Sequence, residues 1–424
     1  MKKIFINILL ATVAFALQSC LHDNQDFFGA SPAERLDKAV AEDKALLESA
    51  TNGWLLQFYT GKEYSKAGYN FLLKFKDGKA YVSAEIAPSD MVSESKYDVT
   101  QERGPVLTFP THNVIMHHLA QAYQRNVDGL QGDYEFVIMK TTQDSIYLRG
   151  KKWGNDMIMT RMPSDMQWKT YLDSISTIKE NLFSNYRVVI NNTDTIGTVE
   201  LDPDNGRVAF TGKNGSFADD EKPFCYTLSG IVMPTSVDLK GQKATAFTWD
   251  AANNALVSGN VKLVGVIPES YQPKTFWAGD WTITYNSART LSLKVTPAGG
   301  NKFNGEFVLG GKTYNVVLKY NTGKGCLTLV SQDIDDPSKT YSAIWFGAAD
   351  MNQGKVTFED GAGFDIIWDK ATNKALFTDN GKGGTISINS FVLIGKDAKG
   401  ELARDSDGYL ATVAILRHLS SMKK

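Results

Sequence analysis

Tyr69-Asn70-Phe71-Leu72-Leu73-Lys74-Phe75-Lys76-Asp77-Gly78-Lys79-Ala80 decides the fold class. Tyr69, Phe71, Leu73 and Phe75 alternate with mostly polar residues, the two-residue period of a half-buried strand. Asp77-Gly78 then supplies the positive φ of a tight hairpin and returns the chain through Ala80 to Ile86. The same grammar recurs downstream. Tyr134 to Lys140 and Ser145 to Gly150 read as a pair, as do Thr198 to Leu201 and Arg207 to Phe210 around Asp202-Pro203-Asp204-Asn205-Gly206. Phe303 to Leu309 turns at Gly310-Gly311, and the returning strand places Tyr314, Val316, Leu318 and Tyr320 on one face.

Helical period is confined to two stretches. Ser31-Pro32-Ala33-Glu34 is a capping box with proline at the first helical position, followed by Leu36, Val40, Leu47 and Ala50 and stopped at Asn52-Gly53. Ser164 and Gln167 suggest a second box, continued by Trp168, Leu172, Ile175 and Leu182. The expected fold is therefore mostly β with a few helices: tandem antiparallel β-sandwich or barrel-like modules preceded by an N-terminal helix. The expected divisions are 31–184 for an N-terminal α+β module, 185–270 for a β module, 275–400 for a C-terminal β module and 401–424 for a tail. Trp249-Asp250-Ala251-Ala252-Asn253-Asn254-Ala255-Leu256 echoes Trp368-Asp369-Lys370-Ala371-Thr372-Asn373-Lys374-Ala375-Leu376, which suggests that the last two modules are related.

The first thirty residues give an address. Lys2 and Lys3 precede an apolar run from Ile4 to Leu17, too short to span a bilayer and laid out as a signal peptide over 1–19. Leu17-Gln18-Ser19-Cys20 resembles the bacterial lipobox, which implies lipidation of Cys20, a tether over 20–30 and anchoring to membrane lipid. Leu21 stands where an inner-membrane retention aspartate would, and Asp23 and Asp26 resemble surface-export signals of Bacteroidetes lipoproteins. The expected location is the outer membrane, facing the periplasm or the cell surface.

Charge nearly cancels, at −2, so nothing attracts nucleic acid, which needs a basic patch. Besides Cys20 only Cys225 and Cys326 remain, which excludes a disulfide framework and favours free buried thiols. Of five histidines, His112, His117 and His118 cluster, but on a helix the first two would diverge and the last two are adjacent, so no metal site is expected. Gly311-Lys312-Thr313 ends like a phosphate loop yet sits in a hairpin. Asp202 to Gly206 lacks the distal glutamate of a calcium loop. Asp219-Asp220-Glu221 and Asp333, Asp335 and Asp336 read as solvated loops, and no catalytic residue or cofactor site emerges. Trp153, in a polar turn-like setting, is the best candidate for an exposed ring that could stack on a ligand, whereas Trp54, Trp277 and Trp281 read as core.

A set of residues carries a family likeness: Gly53-Trp54, Gly68-Tyr69-Asn70, Phe75, Gly78, Leu107, Asn113, His117, Gly132-Asp133-Tyr134-Glu135-Phe136 and Leu148-Arg149-Gly150-Lys151-Lys152. Over about the first 250 residues the chain resembles a family of Bacteroidetes lipoproteins known as domain of unknown function 4302. The family supplies no activity. The resemblance implies an accessory lipoprotein of a nutrient-uptake locus, associated with an outer-membrane transporter complex and with a glycan or peptide ligand. Two expectations follow: a non-catalytic binding protein, or a hydrolase whose carboxylates assemble from distant strands. A shallow ring-lined surface marks the first, and a cleft of converging titratable groups marks the second.

Overall fold

The computed structural model describes residues 31–122, 127–192, 194–203, 205–359 and 361–424; the expected signal peptide over 1–19, Cys20 and the expected tether over 20–30 lie outside them. Ser31 starts helix α1 (Pro32–Ser49) with both bonds of the capping box: its hydroxyl accepts from Glu34 N–H, and the Glu34 carboxylate accepts from Ser31 N–H. Within α1 only Asp43 and Leu47 are buried, Leu47 completely, because the helix packs by its later turns. Trp54 Nε1 donates to the Leu47 carbonyl at 2.9 Å and pins the helix end to the first strand.

Nine strands follow: β1 (Trp54–Tyr59), β2 (Gly68–Lys76), β3 (Lys79–Ala84), β4 (Ser93–Lys96) and β5 (Asp98–Gln101). Then come β6 (Pro105–Thr108), β7 (Glu135–Thr141), β8 (Ser145–Gly150) and β9 (Asp156–Arg161). Their order is β4-β3-β2-β1-β9-β8-β7-β6-β5. First and last strands pair, and the two edge strands are separated in sequence by Tyr97 alone. One extended segment thus pairs with β3 by its first half and with β6 by its second. The sheet returns on itself, which removes a long open edge.

Helix α2 (Trp168–Asn181) opens a second run of the same kind. It starts at Gln167, whose side chain makes no capping bond, so the expected box at Ser164 is not formed. The strands are β10 (Asn185–Ile190), β11 (Asp194–Asp202), β12 (Arg207–Gly212), β13 (Asp220–Pro223) and β14 (Cys225–Thr227). They continue through β15 (Gly230–Leu239), β16 (Gln242–Asp250), β17 (Ala255–Ser258) and β18 (Val261–Gly265). The order β13-β12-β11-β10-β18-β17-β16-β15-β14 repeats that of the first sheet strand for strand. The agreement reaches individual bonds. At the two seams, Tyr97 N–H donates to the Gly78 carbonyl and Phe224 N–H to the Gly206 carbonyl, each glycine being the positive-φ residue of an equivalent hairpin. Residues 31–163 and 164–266 are two copies of one helix-plus-nine-strand plan.

The third element is a closed barrel of β19 (Gly279–Tyr285), β20 (Arg289–Pro297), β21 (Lys302–Leu309), β22 (Lys312–Asn321), β23 (Cys326–Val330), β27 (Gly363–Asp369), β28 (Lys374–Asp379) and β31 (Ser421–Lys423). A smaller sheet is inserted, made of β24 (Gln332–Ile334), β25 (Ala343–Asp350), β26 (Lys355–Val356), β29 (Ser390–Lys396) and β30 (Thr412–Leu416). Tyr314, Val316, Leu318 and Tyr320 point into its core as their alternation requires, and Trp277 and Trp281 stack there at 5.7 Å. The expected kinship between the two Trp-Asp turns does not extend beyond the turns. Trp249 faces Leu256 and Trp368 faces Ala375, and Asp250 and Asp369 each accept from backbone N–H groups ahead of them. One turn, however, lies in a nine-stranded sheet and the other in the barrel. An Asx turn recurs wherever a hairpin needs one.

By contacts the chain forms two units, Met1–Leu56 with Leu72–Ser83 and Val92–Asp165, and Gln57–Phe71 with Ala84–Met91 and Met166–Lys424. The hairpin of β1 and β2 therefore lends its end, residues 57–71, to the second unit. There a Cβ on Gly68 would stand 2.4 Å from the Phe224 carbonyl oxygen. Arg207 donates to the carbonyls of Tyr64 and Lys66, and Cys225 Sγ lies 3.4 Å from the Tyr69 carbonyl. Backbone cannot yield as a side chain does, so Gly68→Ala should destabilise the protein by about 1–3 kcal/mol. The measurement is a lower urea midpoint at unchanged slope, with Gly104→Ala, where a Cβ meets nothing within 4 Å, as the silent control.

Candidate functional site

The two copies differ most between their sixth and seventh strands. In the second copy Lys240-Gly241 alone joins β15 to β16. In the first, residues 109–134 intervene between β6 and β7. Asn113 organises this insertion. Its Oδ1 accepts from the N–H groups of Ile115 and Met116, and its Nδ2 donates to the Ser93 carbonyl and the Ser95 hydroxyl at 3.2 Å each. The side chain is fully buried, so these bonds remove the cost of its polar atoms.

The turn at Asn113 brings together residues that the sequence separates. The His112 and His117 rings lie 5.2 Å apart, and His117 lies 4.8 Å from Tyr134 at 30°. The expectation that the two histidines diverge is thereby corrected. It assumed one continuous helix, whereas the helical turn begins only after His112. With Phe109, Pro110, Gln121 and Glu135, the three rings line a shallow hollow of about 490 Å3. His117 Nδ1 lies 3.1 Å from the Asn113 amide nitrogen and 3.2 Å from the Asn113 carbonyl oxygen, accepting from the first or donating to the second according to its tautomer, so this peptide fixes the ring. Burial lowers the His117 pKa below its ordinary value, and the backbone bonds at Asn113 and Phe109 only partly oppose it. The ring is therefore uncharged at neutral pH. Tyr134 keeps 42% of its surface exposed. Glu135 is the single carboxylate among the lining residues and lies 3.3 Å from Lys151.

Other candidate residues fall elsewhere. Trp153 does not line the hollow; it is half-buried, with Lys152 Nζ 4.7 Å from its ring centre. Its N–H and that of Lys152 donate to Asp133 Oδ1, so this turn is tied to the backbone next to Tyr134. Among the described residues no group of three or more His, Cys, Asp or Glu side chains could hold a metal. Cys225 and Cys326 are free and buried. Asp202 closes a turn by accepting from Asn205, and Asp220 and Glu221 pair with Lys222 and Arg207. Asp333 pairs with Lys396, and Asp336 accepts from the N–H groups of Ser338, Thr340 and Tyr341.

A second polar cluster surrounds Glu85. Its Oε1 accepts from Asn70 N–H at 2.5 Å and Nδ2 at 3.0 Å, and Nδ2 also donates to the Tyr226 carbonyl at 3.0 Å. Asn70 thus joins β2 to β14, which gives physical content to Gly68-Tyr69-Asn70. Burial pushes Glu85 up to about 7, against the lowering effect of the Asn70 bonds.

Residues 24–251 match the family described as Domain of unknown function (DUF4302), and residues 254–394 match a further domain of unknown function, DUF4987. The chain belongs to the DUF4302 family. The DUF4302 region holds the two helix-plus-nine-strand copies, although its boundary at 251 falls inside the β16–β17 turn and leaves β17 and β18 beyond it. The DUF4987 match covers those two strands and most of the barrel. No curated protein matches the sequence. A solved structure, a tryptophan-to-alanine mutant of the vaccine antigen Transferrin Binding Protein B from Haemophilus parasuis Hp5, is 8% identical. The match covers 85% of this chain and 67% of that one at a TM-score of 0.14, a likeness that carries no inference.

The Glu85 shift has a definite sign. An acid whose pKa is higher in the folded state stabilises the fold when protonated. Its contribution is complete below the ordinary value near 4.5 and is lost as pH rises through about 7. Stability should fall between pH 5 and 8, and Glu85→Gln, which keeps the acceptor for Asn70, should flatten that fall. Urea midpoints across the window check it; an unchanged slope in the variant would assign the dependence to another group.

Proposed function

We propose that this DUF4302 chain is a membrane-anchored binding protein that takes a glycan or peptide ligand by ring stacking in the hollow of His112, His117 and Tyr134. The observation that carries this reading is the row of rings itself: two imidazoles and a phenol in series, tilted by 42° and 30°, with Tyr134 presenting 42% of its surface. An apolar face of a pyranose, or a planar side chain of a peptide, stacks on such rings by dispersion and burial of area. A hollow of about 490 Å3 is of the size that small ligands occupy. The neutral state of His117 favours uncharged partners. Glycoside hydrolysis by a carboxylate pair needs two acids across the cleft, and among the described residues only Glu135 lines this one. At Glu85 the carboxylate is committed to Asn70.

The address completes the reading. Lipid on Cys20 holds the protein to the outer membrane, where it serves nutrient uptake beside a transporter. A binding module there concentrates ligand without turning it over, which fits a site on an insertion that the second copy lacks.

Tyr134→Ala should weaken the best ligand by about 1 kcal/mol, roughly fivefold, since that is what one aromatic pair contributes beyond area. Calorimetry with neutral oligosaccharides and aromatic peptides provides the measurement. Turnover of any probe that Glu135→Gln abolishes would instead make the protein a hydrolase. Cys20→Ser should release the protein into the soluble fraction, and globomycin should hold the wild type at precursor size. A variant that stays with membranes contradicts the anchor.

A further inference from the structure

On the outer wall of the barrel one ladder of residues runs across four strands: Lys302 faces Lys319, Lys319 faces Thr328, and Thr328 faces Asp365. Their neighbours Phe303, Leu318, Leu327 and Phe364 fill the core, so alternation turns all four outward. The acid of the row is already committed. Asp365 accepts from Thr328 at 2.8 Å and pairs with Lys324 at 2.7 Å. Lys302 and Lys319 are directly opposite each other, and neither takes part in an ion pair among the described residues. Two like charges in directly opposed cross-strand positions destabilise a sheet.

These lysines border a groove of about 590 Å3, whose polar rim includes Asn301, Asn321 and Asn380. Its α2 side carries Asp173, which pairs with Lys169, and Glu180 beside Lys179, with Glu85 next to them; the barrel side carries Lys302, Lys319, Lys324 and Lys382 against Asp365 alone, so positive charge is concentrated there. We propose that this groove binds an oxyanion (carboxylate, sulfate or phosphate) carried by a small ligand such as an acidic saccharide, with Lys302 and Lys319 as its paired cations. A bound anion converts their mutual repulsion into two charge-assisted hydrogen bonds, the stronger class of such contacts. The asparagine amides supply neutral donors for hydroxyls on the same ligand. This assignment does not rest on the ring-lined hollow, which lies in the other unit.

The test uses the purified full-length protein at low ionic strength, titrated with sodium sulfate, sodium phosphate, digalacturonate and neutral galactose. The three anionic probes should bind and galactose should not. Lys302→Gln with Lys319→Gln should weaken the anions by about tenfold or more. Lys240→Gln with Lys312→Gln, an equal loss of charge outside the groove, should leave them unchanged. Without ligand the groove variant should melt at the wild-type temperature or higher, because a repulsion has been removed; that separates lost binding from lost folding. Digalacturonate that binds more tightly than sulfate or phosphate makes the source a saccharide, and equal affinities make it the free anion; both uphold the site. No binding by any anion at millimolar concentration, or equal loss in both double variants, overturns it.

Discussion

The Phe224 peptide is the point on which the second sheet depends. Its N–H donates to the Gly206 carbonyl, and its own carbonyl faces the bare Cα of Gly68. The first contact lets a short meander return on itself, because β13 ends and β14 begins on either side of this one residue. The second seats a hairpin tip that belongs by sequence to the first sheet. A side chain at position 68 would force the two backbones apart, and the bonds from Arg207, Cys225 and Asn70 would lengthen together. The seam in the first copy is built alike, with Tyr97 in place of Phe224, its hydroxyl donating to Glu48 and its ring 4.7 Å from Phe75.

Much of the secondary structure was legible from alternation and turn chemistry. The capping box at Ser31, the Asp77-Gly78 hairpin and the inward face of Tyr314 to Tyr320 all form as their residues require. The internal repeat was not legible in the right place. Letters matched at Trp249-Asp250 and Trp368-Asp369 because one kind of turn recruits the same residues in any sheet. The true duplicates share almost no letters. What they share is a helix, then alternation, then a hairpin glycine: Asp77-Gly78-Lys79 in one copy and Asn205-Gly206-Arg207 in the other. The insertion at 109–134 shifts everything after it and hides the period.

The ring hollow was half visible. The letters cluster His112 and His117, but helical geometry sets them apart, and that geometry fails because Asn113 starts a new turn. Tyr134 stood in the family-like stretch Gly132-Asp133-Tyr134, though nothing in the letters aims its ring at His117. Fixing that requires two distant hydrogen bonds, from the Lys152 and Trp153 N–H groups to Asp133. The lysine ladder was invisible for a similar reason: residues 302, 319, 328 and 365 become neighbours only through strand register.

The loan of residues 57–71 to the second unit has a consequence for biogenesis. A chain made amino end first presents this hairpin long before Phe224 follows it. Until then Tyr59, Gly68 and Asn70 have no surface to close on, and the carbonyls of Tyr64 and Lys66 stay with water. The first copy is therefore not an autonomous folding unit, despite its complete strand order. Cutting the chain after residue 163 leaves the end of this hairpin without the Phe224 seam on which it packs.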